Sequence, residues 1–134
     1  MFEILRKSLT TGIVTTDYPL GPAAVSSQNR GRPEIDFGKW RDARPAADIC
    51  PTGAITVDDA QGIRQAGLDL GKCIFCGLCA DIDPAIRMTQ DCELAATRRA
   101  SLHLQARYRL KLDGSHAQLL DTPFGAREIG RAHV

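Results

Sequence analysis

The apolar positions near the N-terminus predict a short amphipathic helix. Phe2, Leu5 and Leu9 are spaced i, i+3 and i+7, with basic residues on another side. A helix of this length is not stable alone, so we expect it to pack against its own domain or against another subunit. Prolines, glycines and small polar residues dominate positions 15–35 and disfavour both helix and sheet. Residues 1–36 are therefore predicted to be a helix followed by an extended arm that docks on a partner.

The middle of the chain shows the pattern of short strands separated by turns. Residues 54–57 predict a strand, a polar turn around residues 58–62 follows, and residues 63–70 return the chain towards the cysteine loop. Residues 85–88 predict a further strand. These signals predict a small α+β domain of short hairpins and short helices at residues 37–91.

Beyond this domain the pattern favours a basic helix and then a tail. Residues 93–109 carry an imperfect apolar stripe between basic residues, so residues 92–112 are predicted to be helical. The stripe consists of Leu94, Ala95, Leu102 and Tyr108. The bases, which form either a solvated face or a docking surface, are Arg98, Arg99, Arg107, Arg109 and Lys111. Residues 113–134 mix glycine, serine and proline and are predicted to be a loosely ordered tail.

Length and composition fit one compact domain with arms. The chain has 134 residues, 25% of them charged, and a formal net charge of +1. No segment approaches the roughly 20 consecutive apolar residues that cross a bilayer, and the N-terminus lacks the pattern of a secretion signal. The five cysteines do not suggest disulfides, because four of them have the spacing of a metal site. We therefore expect a protein of the reducing cytoplasm.

Four cysteines carry the strongest chemical signal in the chain. Cys73, Cys76 and Cys79 follow the spacing C-x2-C-x2-C, and Cys50 is a distant cysteine followed by proline. In bacterial-type ferredoxins, three such cysteines and one remote Cys-Pro bind one 4Fe-4S cluster. Zinc sites usually show two separated C-x2-C pairs or include histidine, so the pattern favours iron over zinc. Because the domain is small, we expect that removing the iron largely unfolds residues 50–79.

The same motif predicts a second cluster site that has been lost. Shifted by 33 residues, the three clustered cysteines fall on Trp40, Ala43 and Ala46, while Cys50 falls on Asp83, which is also followed by proline. All four positions of one site are cysteine and all four of the other are not. We therefore predict one cluster where the ancestral fold held two. Trp40 is expected to fill the vacated volume, and Asp83 to form a turn or cap rather than to bind iron.

Residues interleaved with the ligands are predicted to shape the site. Gly77 can adopt a positive φ and bring backbone N–H groups towards sulfur, where they stabilise the reduced cluster. Ile74, Phe75 and Leu78 can exclude water from one side. Cys92 has no partner at ligand spacing and is expected to be a small buried apolar residue.

The sequence shows no catalytic constellation. It contains no motif that pairs a nucleophile with a base, no glycine loop for phosphate and no motif that places two carboxylates together. The histidines His103, His116 and His133 lack metal-ligand spacing and are interpreted as surface residues. A cluster with four protein ligands has no open iron for a substrate, so the sequence favours outer-sphere electron transfer.

Several segments besides the cysteines carry a family resemblance. They are Met1-Phe2, Thr16-Asp17-Tyr18-Pro19-Leu20, Arg30-Gly31-Arg32-Pro33, Cys50-Pro51-Thr52-Gly53-Ala54-Ile55, Lys72-Cys73-Ile74-Phe75-Cys76-Gly77-Leu78-Cys79 and Thr89-Gln90-Asp91-Cys92-Glu93-Leu94. With these segments the chain resembles the ferredoxin-like subunit of formate hydrogenlyase and of membrane-bound nickel-iron hydrogenases, and more distantly chain I of NADH-quinone oxidoreductase. The resemblance implies a pseudo-twofold ferredoxin fold and a peripheral subunit on the cytoplasmic side that passes electrons between clusters of its neighbours. Family members normally carry two 4Fe-4S clusters, and this chain departs from them at positions 40, 43, 46 and 83.

The leading hypothesis is a single-cluster electron-transfer subunit of a membrane-associated hydrogenase or formate hydrogenlyase-like complex. Its partners would be the other subunits of that complex, with indirect membrane contact and no nucleic acid. Two alternatives stay open. The chain could be an assembly subunit whose cluster only holds the fold, or a stand-alone ferredoxin or regulatory iron-sulfur protein. The proline-rich arm and the basic stretch argue against the last of these, because a free carrier does not need them.

Overall fold

The computed structural model describes residues 2–12, 21 and 25–124. These residues form helices and antiparallel strands in alternation, so the predicted α+β class is confirmed. The helices are α1 (Phe2–Thr11), α2 (Arg44–Ile49) and α3 (Leu78–Ile82), and a 3₁₀ turn spans Arg99–Leu102. The strands are β1 (Pro33–Ile35), β2 (Ile55–Ala60), β3 (Ile63–Asp69), β4 (Ile86–Met88), β5 (His103–Leu110) and β6 (His116–Phe124).

Two antiparallel sheets form the framework of the domain. β1 pairs with β4, and the second sheet has the strand order β2-β3-β5-β6. The strand predicted at residues 54–57 corresponds to β2, and the strand predicted at residues 85–88 corresponds to β4, so both are confirmed. The segment that returns the chain at residues 63–70 forms β3. The turn between β2 and β3 is shorter than predicted, because β2 continues to Ala60 and only Gln61 and Gly62, both with positive φ, lie between the strands.

One hydrophobic core joins both sheets to α2. Its buried apolar side chains are Ile35, Trp40, Ala43, Ala46, Ala54, Ile55, Ala66, Leu68, Leu70, Ala85, Ile86, Leu104, Ala106 and Tyr108. Small alanines lie where α2 meets the sheets, so the backbones can approach closely. The half-buried Cys50, Cys73 and Cys79 pack against this core, so the candidate ligands rest on its edge.

Among the described residues, the structure fully buries the charged side chain of Arg64 on β3. Its side chain is fully buried, and its Nε and Nη2 donate to both carboxylate oxygens of Asp59, at 2.7 and 2.9 Å. Its Nη1 donates to Asp42 Oδ1 at 2.7 Å. The hydrogen bond from Arg64 lowers the pKa of Asp59 to about 2. This paired charge ties the β2-β3 hairpin to the segment before α2. A neutral replacement would leave Asp42 without this cation and Asp59 paired with Arg44.

The predicted basic helix over residues 92–112 is wrong. Residues 103–110 form β5, which pairs along its whole length with β3. The reason is a strict alternation, because Leu104, Ala106 and Tyr108 are buried whereas Arg107 points to the exposed side. Two of the bases bind acids: Arg99 Nη2 lies 2.5 Å from Asp69 Oδ2, and Arg107 forms an ion pair with Asp121.

The predicted loose tail is wrong for its first part. His116–Phe124 forms β6 and pairs with β5, so the chain after residue 113 completes a hairpin on the edge of the sheet. Residues 125–134, and with them His133, lie outside the described residues. Gly114 and Ser115, whose composition suggested a loose tail, instead lie in the turn between β5 and β6, where Gly114 has a φ of 79°.

The N-terminal helix is confirmed as α1, and its side chains Phe2, Ile4, Leu5 and Leu9 are all exposed. Residues 13–20 and 22–24 of the predicted arm, including the Tyr18-Pro19 segment, lie outside the described residues. The end of the arm forms β1 rather than irregular chain, which is possible because Pro33 takes the first strand position. Among the helices of the described residues, none is long and apolar enough to cross a membrane.

Candidate iron-sulfur site

The four predicted ligands line a single pocket. They are Cys50, Cys73, Cys76 and Cys79, and each is half-buried and free of disulfide bonds. Cys50 directly follows α2, whereas the other three belong to the loop that leads into α3 and to its first turn. Within the described part of the chain, no group of three or more His, Cys, Asp or Glu is placed to hold a single metal ion. In a 4Fe-4S cluster each cysteine binds a different iron, so the four sulfurs need not converge on one ion.

The backbone of the cysteine loop is held in an unusual conformation. Gly77 caps the N-terminus of α3 with a φ of 87°, so its predicted positive φ is confirmed. Phe75 also has a positive φ, of 55°, although it carries a side chain. Such conformations are costly for residues other than glycine and cluster at functional sites. The loop therefore turns sharply twice between Cys73 and Cys79, which brings these cysteines to one side.

Backbone N–H groups point at two of the sulfur atoms. The N–H of Ala54 donates to Cys50 Sγ at 3.3 Å, and the N–H of Phe75 donates to Cys73 Sγ at 3.4 Å. Such bonds stabilise a thiolate and, in a cluster, its reduced and more negative state.

The four thiols also influence one another electrostatically. Burial raises the pKa of Cys73 and of Cys79, and neighbouring thiolates raise both further. Burial also raises the pKa of Cys50, but hydrogen bonds from the backbone of Ile55, Thr52 and Ala54 outweigh it and the net pKa is lowered. The raised pKa values of Cys73 and Cys79 favour the protonated thiols, so binding a metal centre as thiolates must release their protons.

Shielding of the pocket by its apolar neighbours is incomplete. Phe75 is half-buried and packs against the core. Ile74 and Leu78 line the pocket but are 62% and 40% exposed. Their predicted role in excluding water is therefore not fulfilled by this chain alone.

The structure adds one residue at the site that sequence spacing did not single out for a role. Arg30 lies 46 positions before Cys76, and its Nη1 donates to the carbonyl oxygen of Cys76. Its Cδ lies 3.5 Å from the point where a Cβ on Gly77 would be. No local pattern could show this contact, because the two segments meet only through the tertiary fold.

Three of the four positions that the 33-residue offset assigns to a second ligand set carry buried side chains. Trp40 is 2% exposed, and Ala43 and Ala46 are 0% exposed. The Trp40 ring lies 6.0 Å from that of Phe37, in a tilted arrangement. The burial expected for Trp40 is confirmed.

The fourth position of that set, Asp83, follows α3 just as Cys50 follows α2, and both have extended backbone. Asp83 Oδ1 accepts a hydrogen bond from the N–H of Ala85 at 2.9 Å, so its predicted turn role is confirmed. The predicted burial of Cys92 is wrong, because Cys92 is exposed and lies outside the pocket. It follows β4 in a segment without regular structure, so no apolar layer covers it.

The interpretation of His116 as a surface residue is also wrong. Its ring stacks on Tyr108 with centroids 3.9 Å apart, and its Nδ1 lies 2.7 Å from the carbonyl oxygen of Trp40. A carbonyl only accepts, so Nδ1 carries the proton and the neutral Nε2 accepts from Arg64 Nη1 at 3.4 Å. His103 is partly exposed, with Nε2 3.6 Å from Asp69 Oδ2.

This geometry predicts a loss of stability when His116 is protonated. Burial lowers the pKa of His116 below 6.5, and Arg64 opposes a second ring proton. As the pH falls, His116 of the unfolded chain therefore takes up its proton before His116 of the folded chain does. The contribution of neutral His116 to the free energy of unfolding is fully present above about pH 6.5, and it is lost as the pH falls through the pKa of His116 in the folded protein. We expect the melting temperature to fall between about pH 7.5 and about pH 5.5. His116→Phe, which can keep the stack with Tyr108, should show a flatter pH dependence, and an equal slope in both proteins would contradict this.

Comparison with known proteins places the chain in a family. Formate hydrogenlyase subunit 6 of Escherichia coli (strain K12) is 33% identical to it over 132 residues, which cover 96% of this chain and 71% of that protein. The chain belongs to the family of formate hydrogenlyase subunit 6. NAD(P)H-quinone oxidoreductase subunit I of Gloeobacter violaceus is 28% identical over 99 residues, covering 67% of this chain and 47% of that protein. No family model matches the sequence. The resemblance to a formate hydrogenlyase subunit inferred from the sequence is confirmed.

Proposed function

We propose that this chain is an iron-sulfur electron-transfer subunit of a formate hydrogenlyase-like or complex I-like assembly. In this proposal it carries a single 4Fe-4S cluster, bound by Cys50, Cys73, Cys76 and Cys79. The observation that carries the proposal is that all four cysteines line one pocket although Cys50 is remote in sequence. The family membership supports the assignment to a multi-subunit oxidoreductase, because both relatives are named as subunits of such complexes.

The donor set supports iron-sulfur chemistry over zinc. Thiolates at consecutive x2 spacing with a remote Cys-Pro are the ligand pattern of a ferredoxin cluster, whereas structural zinc sites use separated pairs. The backbone N–H groups of Ala54 and Phe75, directed at Cys50 and Cys73, also suit a cluster. Such bonds to ligand sulfur are among the features that set a cluster's reduction potential.

The packing at the second set of positions supports a single cluster. Trp40, Ala43 and Ala46 are all buried in the hydrophobic core and offer no thiolate. Asp83 uses its carboxylate to close a backbone turn. A second inorganic core would have to displace the indole of Trp40, so in this proposal electrons enter and leave through the one site at the surface.

The role of the chain follows from this arrangement. A cluster held by the four cysteines would supply one-electron transfer at this site. The protein would hold it in the half-buried pocket, with backbone N–H groups directed at two of the ligand sulfurs and an apolar rim left exposed. The exposed rim side chains Ile74 and Leu78 would be covered by a partner subunit that donates or receives the electron. We place the chain on the cytoplasmic face of the membrane, attached through partner subunits, because a thiolate cluster suits a reducing compartment.

Metal analysis with electron paramagnetic resonance tests this function. The full chain, purified or reconstituted without oxygen, should contain about four iron atoms and four acid-labile sulfides per chain. Reduction with dithionite should produce one paramagnetic signal from one cluster. Zinc in place of iron, about eight iron atoms per chain, or no reducible signal would each contradict the proposal. Co-purification from the native host should recover hydrogenase-like subunits, and a chain isolated alone would favour a free carrier.

A further inference from the structure

Arg30 occupies a position beside the cysteine loop that the proposed electron transfer does not yet explain. Its Nη1 donates to the carbonyl oxygen of Cys76, one of the four predicted ligands. Its side-chain atoms Cδ, Nε and Nη1 lie 3.5, 3.7 and 3.7 Å from the point where a Cβ on Gly77 would be. The guanidinium therefore lies against the backbone that connects Cys76 to Cys79.

The backbone on both sides of Arg30 is fixed. The N–H of Gly31 donates to the carbonyl of Thr89 at 2.7 Å, and the N–H of Thr89 donates to the carbonyl of Arg32 at 3.0 Å. A Cβ on Gly31 would lie 2.5 Å from backbone atoms of Asp91, so only glycine permits this close approach. Before Arg30, the N–H of Asn29 closes a turn onto the carbonyl of Ser26 at 2.9 Å. The arm is thus anchored to the segment after β4, which directs Arg30 towards the cysteine loop.

We infer that Arg30 sets the reduction potential of the cluster through its positive charge. This inference rests on the proposed function. Reduction adds one electron to the cluster and therefore one negative charge. A cation held beside a ligand loop stabilises the reduced form more than the oxidised form and raises the potential. Arginine is always charged, so this contribution does not depend on pH in the physiological range.

The expected size of the effect is moderate, because the Arg30 side chain is exposed and water screens its charge. We expect removal of the charge to lower the ratio of reduced to oxidised cluster about tenfold at a fixed potential, which is about 59 mV for a one-electron couple.

The experiment compares four variants of the full chain by redox titration followed with electron paramagnetic resonance. Arg30→Gln removes the charge and keeps an amide that can donate to the Cys76 carbonyl. Arg30→Met removes both, and Arg30→Lys keeps the charge. The matched control is Arg87→Gln, which removes the same unit charge from β4, where Arg87 pairs with Glu34.

The two neutral Arg30 variants should show the lowered potential, while Arg30→Lys and Arg87→Gln should stay near the wild type. Equal shifts in Arg30→Gln and Arg87→Gln, or no shift in the neutral Arg30 variants, would overturn the inference. Loss of the cluster from both neutral variants would also overturn it, because Arg30 would then hold the loop rather than set the potential. A wild-type chain without a reducible cluster would instead refute the proposed function.

Discussion

Replacing Cys76 by alanine should remove nearly all iron and acid-labile sulfide from the chain. Cys76 supplies one of the four sulfurs around the pocket, and its loop has no other cysteine that could replace it. The three remaining thiolates would leave one iron without a protein ligand and open to solvent. Because the small domain depends on metal ligation, we also expect residues 50–79 to lose most of their structure. Iron and sulfide analysis and circular dichroism measure both effects.

The matched control is Cys92→Ala, which removes a thiol that is exposed and outside the pocket. It should keep the full iron content and an unchanged thermal unfolding profile. If Cys92→Ala lost iron as Cys76→Ala does, the assignment of ligands would be incorrect. If the assembled complex kept its turnover with Cys76→Ala, the chain would be an assembly subunit and its cluster would not lie on the electron path.

Replacing Trp40 by alanine should destabilise the fold by about 3–5 kcal/mol. Trp40 is 2% exposed and packs in the core beside Ala43 and Ala46, which are too small to fill the space it would leave. For a domain of this size such a loss corresponds to a fall in melting temperature on the order of 10 °C. Thermal unfolding of the iron-loaded chain, followed by circular dichroism without oxygen, measures it.

Trp40→Phe keeps an aromatic ring in the core while removing the indole nitrogen and part of the ring volume. The Trp40 Nε1 is buried without a hydrogen-bond partner among the described residues, so losing its N–H removes no bond. We expect this variant to cost less than Trp40→Ala, because the phenyl ring leaves a smaller cavity than the alanine methyl group. An alanine variant as stable as the wild type would show that Trp40 does not fill the volume of a second cluster. Both variants should retain the iron of the remaining site, because Trp40 does not line its pocket.

Much of the candidate site could be predicted from the sequence because its signals are local. The x2 spacing of Cys73, Cys76 and Cys79 lets one loop present three thiolates, and Gly77 marks the positive φ that the loop needs. The repeat offset of 33 residues places Trp40 at a ligand position of the predicted second site. The burial of Trp40 agrees with the prediction that its side chain fills the volume of that site.

The helix predicted at residues 92–112 is wrong because two periodicities compete in this segment. Four scattered apolar positions in residues 93–109 suggest a helix, whereas residues 103–110 alternate between buried and outward side chains. The alternation of Leu104, Ala106 and Tyr108 is the signal of a strand. Residues 103–110 are stabilised as a strand because β5 forms hydrogen bonds with backbone groups of β3 that would otherwise be unpaired.

The four candidate ligands, the hairpin of β2 and β3, and the helix α1 could be predicted from the sequence, because each depends on spacing within a few residues or on one repeat. Three contacts are visible only in the folded chain: Arg30 reaches Cys76, Arg64 is buried between Asp42 and Asp59, and His116 stacks on Tyr108. These contacts join segments that are separated along the chain. The geometry of these contacts follows from how the sheets pack, and no periodic pattern in the sequence predicts it.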